Sequence, residues 1–334
     1  MTELSLEGTD LIARAALPAY GVSPGTRLRL INLSENATFL VTDPIRGRSV
    51  LRVHRLGYHS RAAIESELAW TGALRAAGTI ATPAVIPTVT GERVLTLQAP
   101  GTGGPDRHAV MFAWVPGGEP DPTDPASFER LGAMTARLHE QSRGWRRPDA
   151  FTRFSWDEDS ILGGRPGHDP RWGHWQRGIG IGPAEQAVLA PAVARIRERL
   201  AAYGRGQDRF GLVHADLRLA NLLVSPTSEQ GLGETTVIDF DDCGLSWFMF
   251  DWGAAVSFIE DDPRLPQWQD AWLTGYSTVG PVDSEDEAIL PTMVMLRRLQ
   301  LTAWMGTHSH AAEVARLGVS FVQGTLRLAH DYLS

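Results

Sequence analysis

The residues best suited to chemistry lie in two loops, each of which follows an apolar stretch of strand type. His214, Asp216 and Asn221 form an H-x-D-x-x-x-x-N pattern directly after the first of these stretches, and a later stretch ends on Asp239. An aspartate at a reaction centre can take the proton of an attacking hydroxyl, while an asparagine and a second aspartate can hold magnesium over nucleotide phosphates. The pattern therefore predicts phosphoryl transfer, and unrelated loop residues between buried strands would rarely show this spacing.

Residues 212–242 resemble the catalytic core of the aminoglycoside phosphotransferase, choline kinase and homoserine kinase-like superfamily. In that family the first loop usually reads H-G-D-x-x-x-x-N, and the later strand ends in I-D-F or I-D-W. Here Ala215 replaces the glycine, and Ile238-Asp239-Phe240 matches the second motif. The resemblance extends over about residues 25–330, although only the core is specific.

The resemblance implies a role for each polar residue of this core. Asp216 is expected to be the catalytic base, and His214 is expected to shape the loop without moving protons. Asn221 and Asp239 are expected to bind Mg²⁺. Asp251 matches an aspartate that braces the catalytic loop from behind, which is a structural role.

The resemblance also implies an α+β, protein-kinase-like fold with two lobes, a small β-rich N-lobe and a larger, mostly helical C-lobe. Residues 1–115 are expected to form a nucleotide-covering antiparallel sheet with one helix. Residues 116–334 are expected to hold the helices, the catalytic and metal-binding loops and the substrate site. A run with two glycines begins at Pro116 and interrupts the strand pattern, so it marks the expected boundary between the two lobes.

Alternating and β-branched residues predict three strands near the N-terminus, over residues 27–33, 38–42 and 49–54. A polar turn that contains Ser34 and Asn36 joins the first two. The resemblance places this turn over the nucleotide phosphates, although the turn contains no glycine.

Arg52 lies on the third predicted strand, where the family usually has a lysine. The chain contains no lysine, so a side-chain cation that binds phosphate has to be an arginine or a protonated histidine. Ser60 can cap a helix over residues 61–77, in which Glu67 falls beside the inward-facing stripe and can pair with Arg52. The resemblance assigns this pair to nucleotide binding, and an arginine facing water at a sheet edge is the alternative.

Two further strand-like runs cover residues 93–98 and 108–115, joined by a loop rich in glycine and proline. The resemblance places the adenine of ATP against backbone groups near Trp114 and Val115.

Candidate substrate contacts come from the C-terminal part. Trp156 lies in the aromatic-rich stretch 140–182, which is expected to be irregular and could form a substrate wall or fill a second core. Asp241 is a candidate for a second metal or substrate contact, and an exposed loop acid is the alternative. Glu260 could face a cationic substrate.

Apolar periodicity predicts helices over the remaining stretches of the C-terminal part. They cover about 124–139, 183–200 with a kink or restart at Pro191, 267–276, 287–305 and 311–333.

Composition narrows the class of protein. Apolar content of 43% and charged content of 21% are typical of a globular protein. The net charge of −8 is concentrated after residue 115, which argues against a nucleic-acid partner. No run is long and apolar enough for a membrane helix, so no membrane partner is expected. The N-terminus lacks a signal-peptide pattern, and a single cysteine, Cys243, fits a reducing cytoplasm.

These observations predict an ATP- and Mg²⁺-dependent phosphotransferase, a kinase that moves the γ-phosphate to a hydroxyl of a small molecule. An amino alcohol, an amino acid, a sugar and an aminoglycoside all stay open as the acceptor, as does the oligomeric state. One alternative is a bacterial stress-response-type Ser/Thr protein kinase of the same superfamily. The absence of an Ala-Pro-Glu segment after Asp239 favours a small molecule. The other alternative is a nucleotide-binding scaffold without turnover.

Overall fold

The structure is a computed structural model that describes residues 6–33, 36–98, 105–164, 166–167, 169–225, 234–308 and 312–334. The chain divides into two compact units. Unit 1 consists of Met1–Gly117, Arg147–Arg153 and Ser225–Asp241, and unit 2 consists of Gly118–Arg146, Phe154–Val224 and Asp242–Ser334. The division is therefore not a single cut along the chain, and Asp239 belongs to unit 1. Within these described ranges, no helix combines the length and the apolar character needed to cross a membrane.

Unit 1 is built on an antiparallel sheet, to which the described residues contribute six strands. The order is β1-β2-β3-β6-β4, and β5 pairs with β6. Five of these strands lie where the sequence predicts them, and only the two-residue β4 was missed. The strands are β1 (Arg27–Leu33), β2 (Ala37–Asp43), β3 (Gly47–Val53), β4 (Val85–Ile86), β5 (Leu95–Leu97) and β6 (Arg107–Ala113).

Two helices complete unit 1, α1 (Leu6–Ala16) and α2 (Arg61–Ala76). Helix α1, which was not predicted, buries Ile12 and its small neighbours against Phe39, Leu51 and other apolar residues of the sheet. Helix α2 begins as predicted, because the Ser60 hydroxyl accepts the Ala63 N–H at 3.2 Å. Its buried apolar face keeps the helix in place, since each large apolar side chain removed from water contributes about 1.5–3 kcal/mol.

Unit 2 is mostly helical. Helices α3 and α7 can approach closely because each carries a glycine at the contact: a Cβ at Gly132 would collide with the backbone of Trp272, and a Cβ at Gly275 with that of Glu129. The helices are α3 (Pro125–Gly144), α4 (Glu158–Leu162), α5 (Pro183–Tyr203), α6 (Phe250–Ala255), α7 (Leu265–Ser277), α8 (Ser284–Thr307) and α9 (Ala312–Leu333).

Three helix predictions need correction. Helix α3 continues to Gly144, so His139 lies in its interior and not at its end. Helix α5 is continuous through Pro191, which lies on the exposed side where water can bind the carbonyl that the proline leaves without a donor. The stretch 140–182 is less irregular than expected, since it contains α4 and a short 3₁₀ helix over Trp175–Arg177.

Short strands carry the functional loops. Strand β7 (Phe210–Val213) pairs antiparallel with β10 (Gly244–Trp247) in unit 2, and β7 leads directly into the predicted catalytic loop. The other two strands are β8 (Leu222–Val224) and β9 (Thr235–Val237). Helix α8 is buried along most of its length. Two adjacent arginines, Arg297 and Arg298, lie in this buried and mostly apolar stretch.

Candidate active site

The predicted catalytic loop begins with a strained turn after β7. Ala215 has a φ of 64°, which lies in the left-handed region. A side chain with a Cβ loses roughly 1–2 kcal/mol in this conformation, whereas glycine adopts it freely. This explains why related loops usually have glycine at this position. The turn places Asp216 immediately after the strained residue.

Asp251, at the start of α6, holds the backbone of this turn. Its Oδ1 accepts the Ala215 N–H at 2.7 Å, and its Oδ2 accepts the His214 N–H at 3.2 Å. His139 Nε2 lies 3.0 Å from the same Oδ2, and Tyr276 Oη lies 2.9 Å from His139 Nδ1. Burial lowers the pKa of His139, although Asp251 opposes the shift. A neutral His139 therefore donates to Asp251 and accepts from Tyr276.

Asp216 is held by several side chains of unit 2. Its Oδ1 accepts a hydrogen bond from Arg297 Nη2 at 2.7 Å, and its Oδ2 accepts one from Asn221 Nδ2 at 2.9 Å. Arg218 Nε lies 3.5 Å from Oδ2. The Asp216 side chain keeps 17% of its surface exposed, so a substrate hydroxyl can reach it. The His214 ring is buried and accepts the Asp216 N–H at 3.3 Å, so it contacts the backbone of the turn.

Asn221 ends a short 3₁₀ helix, Leu219–Asn221. Its amide nitrogen donates both to the Asp216 carboxylate and, at 2.7 Å, to the Asp216 carbonyl. Because both bonds use the nitrogen, the carbonyl oxygen of Asn221 is the atom suited to a metal ion.

Sequence reasoning missed Arg297. Its partner Asp216 lies 81 residues away along the chain, and helical periodicity alone predicts only that this face of α8 is buried. The available signal was the adjacent pair of arginines inside an otherwise apolar helix, since buried charges have to be paired.

In unit 1, the expected ion pair between Arg52 and Glu67 is present. Arg52 Nη2 lies 2.6 Å from Glu67 Oε1, and both side chains are buried. Burial works against the charged form of Arg52, but Glu67, Asp241 and Asp239 outweigh it and raise the pKa of the guanidinium. Arg52 therefore stays charged inside unit 1, in electrostatic contact with the aspartate expected to bind Mg²⁺.

Asp241 is only 4% exposed, so the alternative of an exposed loop acid is wrong. Its Oδ1 lies 3.5 Å from His59 Nε2, 3.7 Å from His54 Nδ1 and 3.9 Å from Arg52 Nη1. Burial opposes ionisation, yet His59 and Arg52 hold the pKa of Asp241 well below its usual range. Burial, aided by the charge of Arg52, lowers the pKa of His54 well below its usual value, so this ring is neutral.

The Arg52 network contains buried polar atoms that lack a hydrogen-bond partner within the described part of unit 1. They include Arg52 Nε, Glu67 Oε2 and Asp241 Oδ2. An unsatisfied buried polar atom destabilises a protein by about 1–3 kcal/mol, so a set of donors and acceptors in one place fits a polar ligand such as a magnesium–nucleotide complex. No cluster of three or more His, Cys, Asp or Glu forms a metal site among the residues described. An asparagine, an aspartate and phosphate oxygens are sufficient Mg²⁺ ligands without one.

The remaining nucleotide-site candidates lie in unit 1. Asn36 is buried, and its Oδ1 accepts the Arg55 N–H at 3.2 Å, so it anchors the chain after β3. Ser34 lies outside the described residues. Trp114 and Val115 follow β6 and are half-buried, and the Arg48 guanidinium lies 5.7 Å from the centre of the Trp114 ring.

Two substrate candidates lie in the interior of unit 2. Trp156 is fully buried and donates its indole N–H to the Asp242 carbonyl at 2.7 Å, so it offers no surface to a substrate. Glu260, the candidate for contact with a cationic substrate, is buried, and its Oε2 pairs with Arg298 Nη1 at 2.6 Å. Burial raises the pKa of Glu260 even though Arg298 opposes the shift. A charge partner from the middle of α8 was not visible in the local sequence.

Comparison with known proteins identifies the class. The model of the phosphotransferase enzyme family matches residues 27–288, and the chain belongs to this family. The predicted family and the predicted enzyme class, a small-molecule kinase, are therefore confirmed.

The chain is also similar to individual kinases. The microcompartment-associated aminopropanol kinase is 49% identical with a TM-score of 0.87, over 96% of this chain and 97% of that one. The amicoumacin kinase hAmiN, solved with AMP-PNP, Ca²⁺ and Ami, is 21% identical with a TM-score of 0.74, over 95% and 92%. Amicoumacin kinase from Bacillus subtilis (strain 168) is 25% identical over 245 residues, 70% of this chain and 66% of that protein. The expected α+β, protein-kinase-like fold is confirmed by these likenesses.

Proposed function

We propose that this protein transfers the γ-phosphate of ATP to the hydroxyl of a small amino alcohol of the aminopropanol type. The observation that carries the proposal is the partly exposed Asp216 carboxylate, held in one orientation directly after a strained turn. The similarity to aminopropanol kinase over nearly the whole chain supports this acceptor class. An acidic C-terminal part is favourable to an acceptor that carries an ammonium group.

The chemistry of the transfer defines what each residue has to do. The acceptor hydroxyl loses its proton to Asp216 as its oxygen bonds to the γ-phosphorus, and the bond from that phosphorus to the ADP oxygen breaks. Mg²⁺, held by Asn221 and Asp239, would offset the negative charge of the phosphates. Arg52 is the phosphate-binding cation, and Glu67 fixes its direction. An arginine suits this task because its planar fork binds phosphate oxygens in pairs.

We also propose that the protein works in the reducing cytoplasm. The support is compositional: the chain has a single cysteine, Cys243, which is fully buried. The test is subcellular fractionation of cells that express the full chain. We expect the protein in the cytoplasmic fraction, and its recovery in another fraction would contradict the proposal.

The test of the proposed function is Mg²⁺-dependent ADP release from ATP with a panel of acceptors: 1-amino-2-propanol, ethanolamine, homoserine, a sugar, an aminoglycoside and a generic protein. We expect an amino alcohol to stimulate release most strongly. Asp216→Asn should lose about 10²–10⁴-fold of this activity, because the variant removes the proton acceptor, while binding of Mg²⁺–ATP persists, because the expected metal and phosphate ligands are unchanged. Asp270→Asn, which changes an exposed aspartate on α7, is the matched control and should behave as wild type.

Each other result points to a different function. Stimulation by homoserine, a sugar or an aminoglycoside alone would replace the acceptor but keep the reaction. Stimulation by protein alone would indicate a protein kinase. Tight Mg²⁺–ATP binding without turnover on any acceptor would indicate a nucleotide-binding scaffold.

A further inference from the structure

Arg297 connects the middle of α8 to the catalytic turn. Its side chain is 2% exposed, and each of its three nitrogens has a partner. Nε donates to Ser257 Oγ at 2.9 Å, and Nη1 donates to Gln300 Oε1 at 3.0 Å. These two bonds fix the plane of the guanidinium, which also lies 5.1 Å from the centre of the Trp172 ring. A cation held in this way has one orientation available to it.

The remaining bonds of Arg297 go to two consecutive residues of the turn. Nη1 donates to the Ala215 carbonyl at 3.3 Å, and Nη2 donates to Asp216 Oδ1 at 2.7 Å. Asp251 holds the N–H of the same Ala215. The strained residue is therefore bound on both of its peptide groups, on one side by a carboxylate from α6 and on the other by a guanidinium from α8.

We infer that Arg297 is the positioning residue for the carboxylate of Asp216, which it orients toward the hydroxyl of the acceptor. This inference rests on the proposed function. With Oδ1 bonded to Arg297 and Oδ2 bonded to Asn221, the carboxylate cannot rotate, and its remaining lone pairs are directed where a hydroxyl can donate. In a loose phosphoryl-transfer transition state, placement of the attacking oxygen is the main contribution that a protein can make.

Stability alone does not account for a charge at this place. Removing a guanidinium from water destabilises the folded state by several kcal/mol, and buried ion pairs replaced by apolar residues often leave stability unchanged or improved. An arginine whose planar fork reaches a main-chain carbonyl and a carboxylate at the same time gives precision of placement that lysine cannot reproduce.

Helix α8 supplies a matched control in the next residue. Arg298 is equally buried, and it bonds to Glu260, to Thr325 Oγ1 at 2.9 Å and to the Phe321 carbonyl at 2.8 Å. Its partners lie on α9 and in the loop between α6 and α7, not in the catalytic turn. Replacing Arg298 therefore disturbs the core of α8 to a similar degree without touching Asp216.

The experiment compares Arg297→Lys with Arg298→Lys in the full chain. We expect Arg297→Lys to lower kcat by about 10- to 10²-fold, because small misplacements of a reacting group have effects of this size. The acceptor KM and the Kd for Mg²⁺–ATP should stay within about threefold of wild type, as neither binding step needs the Asp216 rotamer. The amount of phosphorylated acceptor per ADP released should also fall, because water competes for the γ-phosphate once the hydroxyl is no longer held.

Arg298→Lys should lower the melting temperature while kcat and the product ratio stay near wild type. Ser257→Ala, which loosens Arg297 without removing its charge, should show a smaller loss of kcat in the same direction. The inference is overturned if Arg297→Lys keeps wild-type kcat and product ratio, or if both lysine variants lose activity only in proportion to folded protein. The wild-type control separates the two proposals: no turnover there sinks the proposed function, whereas normal wild-type turnover with an unaffected Arg297→Lys sinks this inference alone.

Discussion

Arg52 in unit 1 and Arg297 in unit 2 are both buried arginines, and each lies within 2.7 Å of a carboxylate of a functional motif. Their surroundings differ. Every nitrogen of Arg297 donates a hydrogen bond inside unit 2, although Nε2 of its partner Gln300 is buried without one among the described residues. Around Arg52, the guanidinium Nε and Glu67 Oε2 are buried without hydrogen bonds in the described part of unit 1.

The difference indicates two kinds of task. A guanidinium that is bonded through every nitrogen is held rigidly, which suits a residue that holds a catalytic carboxylate still. A guanidinium and a carboxylate that each keep an atom without a hydrogen bond leave a donor and an acceptor that a ligand can satisfy, which suits a phosphate-binding site.

Arg52→Met should abolish the stabilisation of the protein by Mg²⁺–ATP. Removing the cation leaves Glu67 as an unpaired buried carboxylate, which should lower the free energy of unfolding by about 3–5 kcal/mol. In thermal denaturation, Mg²⁺–ATP at 100 times its Kd should stabilise wild type by about 2.7 kcal/mol. The variant should show no such stabilisation, and its turnover should fall by at least about 10²-fold.

Two further variants separate stability from binding. Arg52→Met combined with Glu67→Met removes both charges and should recover much of the lost stability without recovering nucleotide binding. Arg29→Met, which changes an exposed arginine on β1, should leave both unchanged. A double variant that still binds Mg²⁺–ATP as wild type does would show that the atoms without hydrogen bonds in unit 1 do not mark the phosphate site.

The sequence was informative wherever a local pattern decided the outcome. Strand β1 lies over residues 27–33 as predicted, because alternation of apolar and polar residues sets the face that a strand buries. The pairing of Arg52 with Glu67 was also predicted, because helix periodicity places Glu67 beside the inward-facing stripe of α2 and the family resemblance places a phosphate-binding cation at position 52.

Partners distant in the sequence were not predictable. His139 bonds to Asp251 and Tyr276, which lie 112 and 137 residues away, and helical periodicity says only that His139 points inward. The same limit applies to Glu260, which was a candidate for contact with a cationic substrate and whose partner Arg298 lies in α8. A single sequence gives the direction of a side chain, whereas its partner depends on how the helices pack.

His139 should make the stability of the fold depend on pH. Its folded-state pKa lies below the usual value of 6.5 because it is buried, so between these two values the unfolded chain binds more protons than the folded one. Stability should therefore be fully present above about pH 6.5 and fall as the pH decreases, by up to about 1.4 kcal/mol per pH unit for this group.

Urea denaturation at several pH values measures this effect. His139→Gln should be less stable than wild type near neutral pH, because the bonds to Asp251 and Tyr276 are weakened, and its stability should fall less steeply in acid. His54→Gln is the comparison in unit 1, where burial also lowers the pKa of the histidine. An unchanged pH slope in His139→Gln would contradict a neutral His139 bonded to Asp251 and Tyr276 in unit 2.

Ala215→Gly should have the smallest effect and bears directly on the strain in the catalytic turn. Relief of the left-handed conformation at φ 64° favours glycine by roughly 1–2 kcal/mol, while the greater backbone freedom of glycine in the unfolded chain opposes it by about 0.5–1 kcal/mol. We expect a change in the free energy of unfolding between zero and about 1.5 kcal/mol in favour of the variant, measured by urea denaturation, with kcat within about twofold. The reverse change, Gly47→Ala at φ 82° in the open β2–β3 turn of unit 1, should destabilise by a similar amount. A clear loss of stability in Ala215→Gly would mean that the buried methyl group contributes more through packing than the strain removes, so that Arg297 and Asp251 hold a turn that Ala215 itself helps to fix.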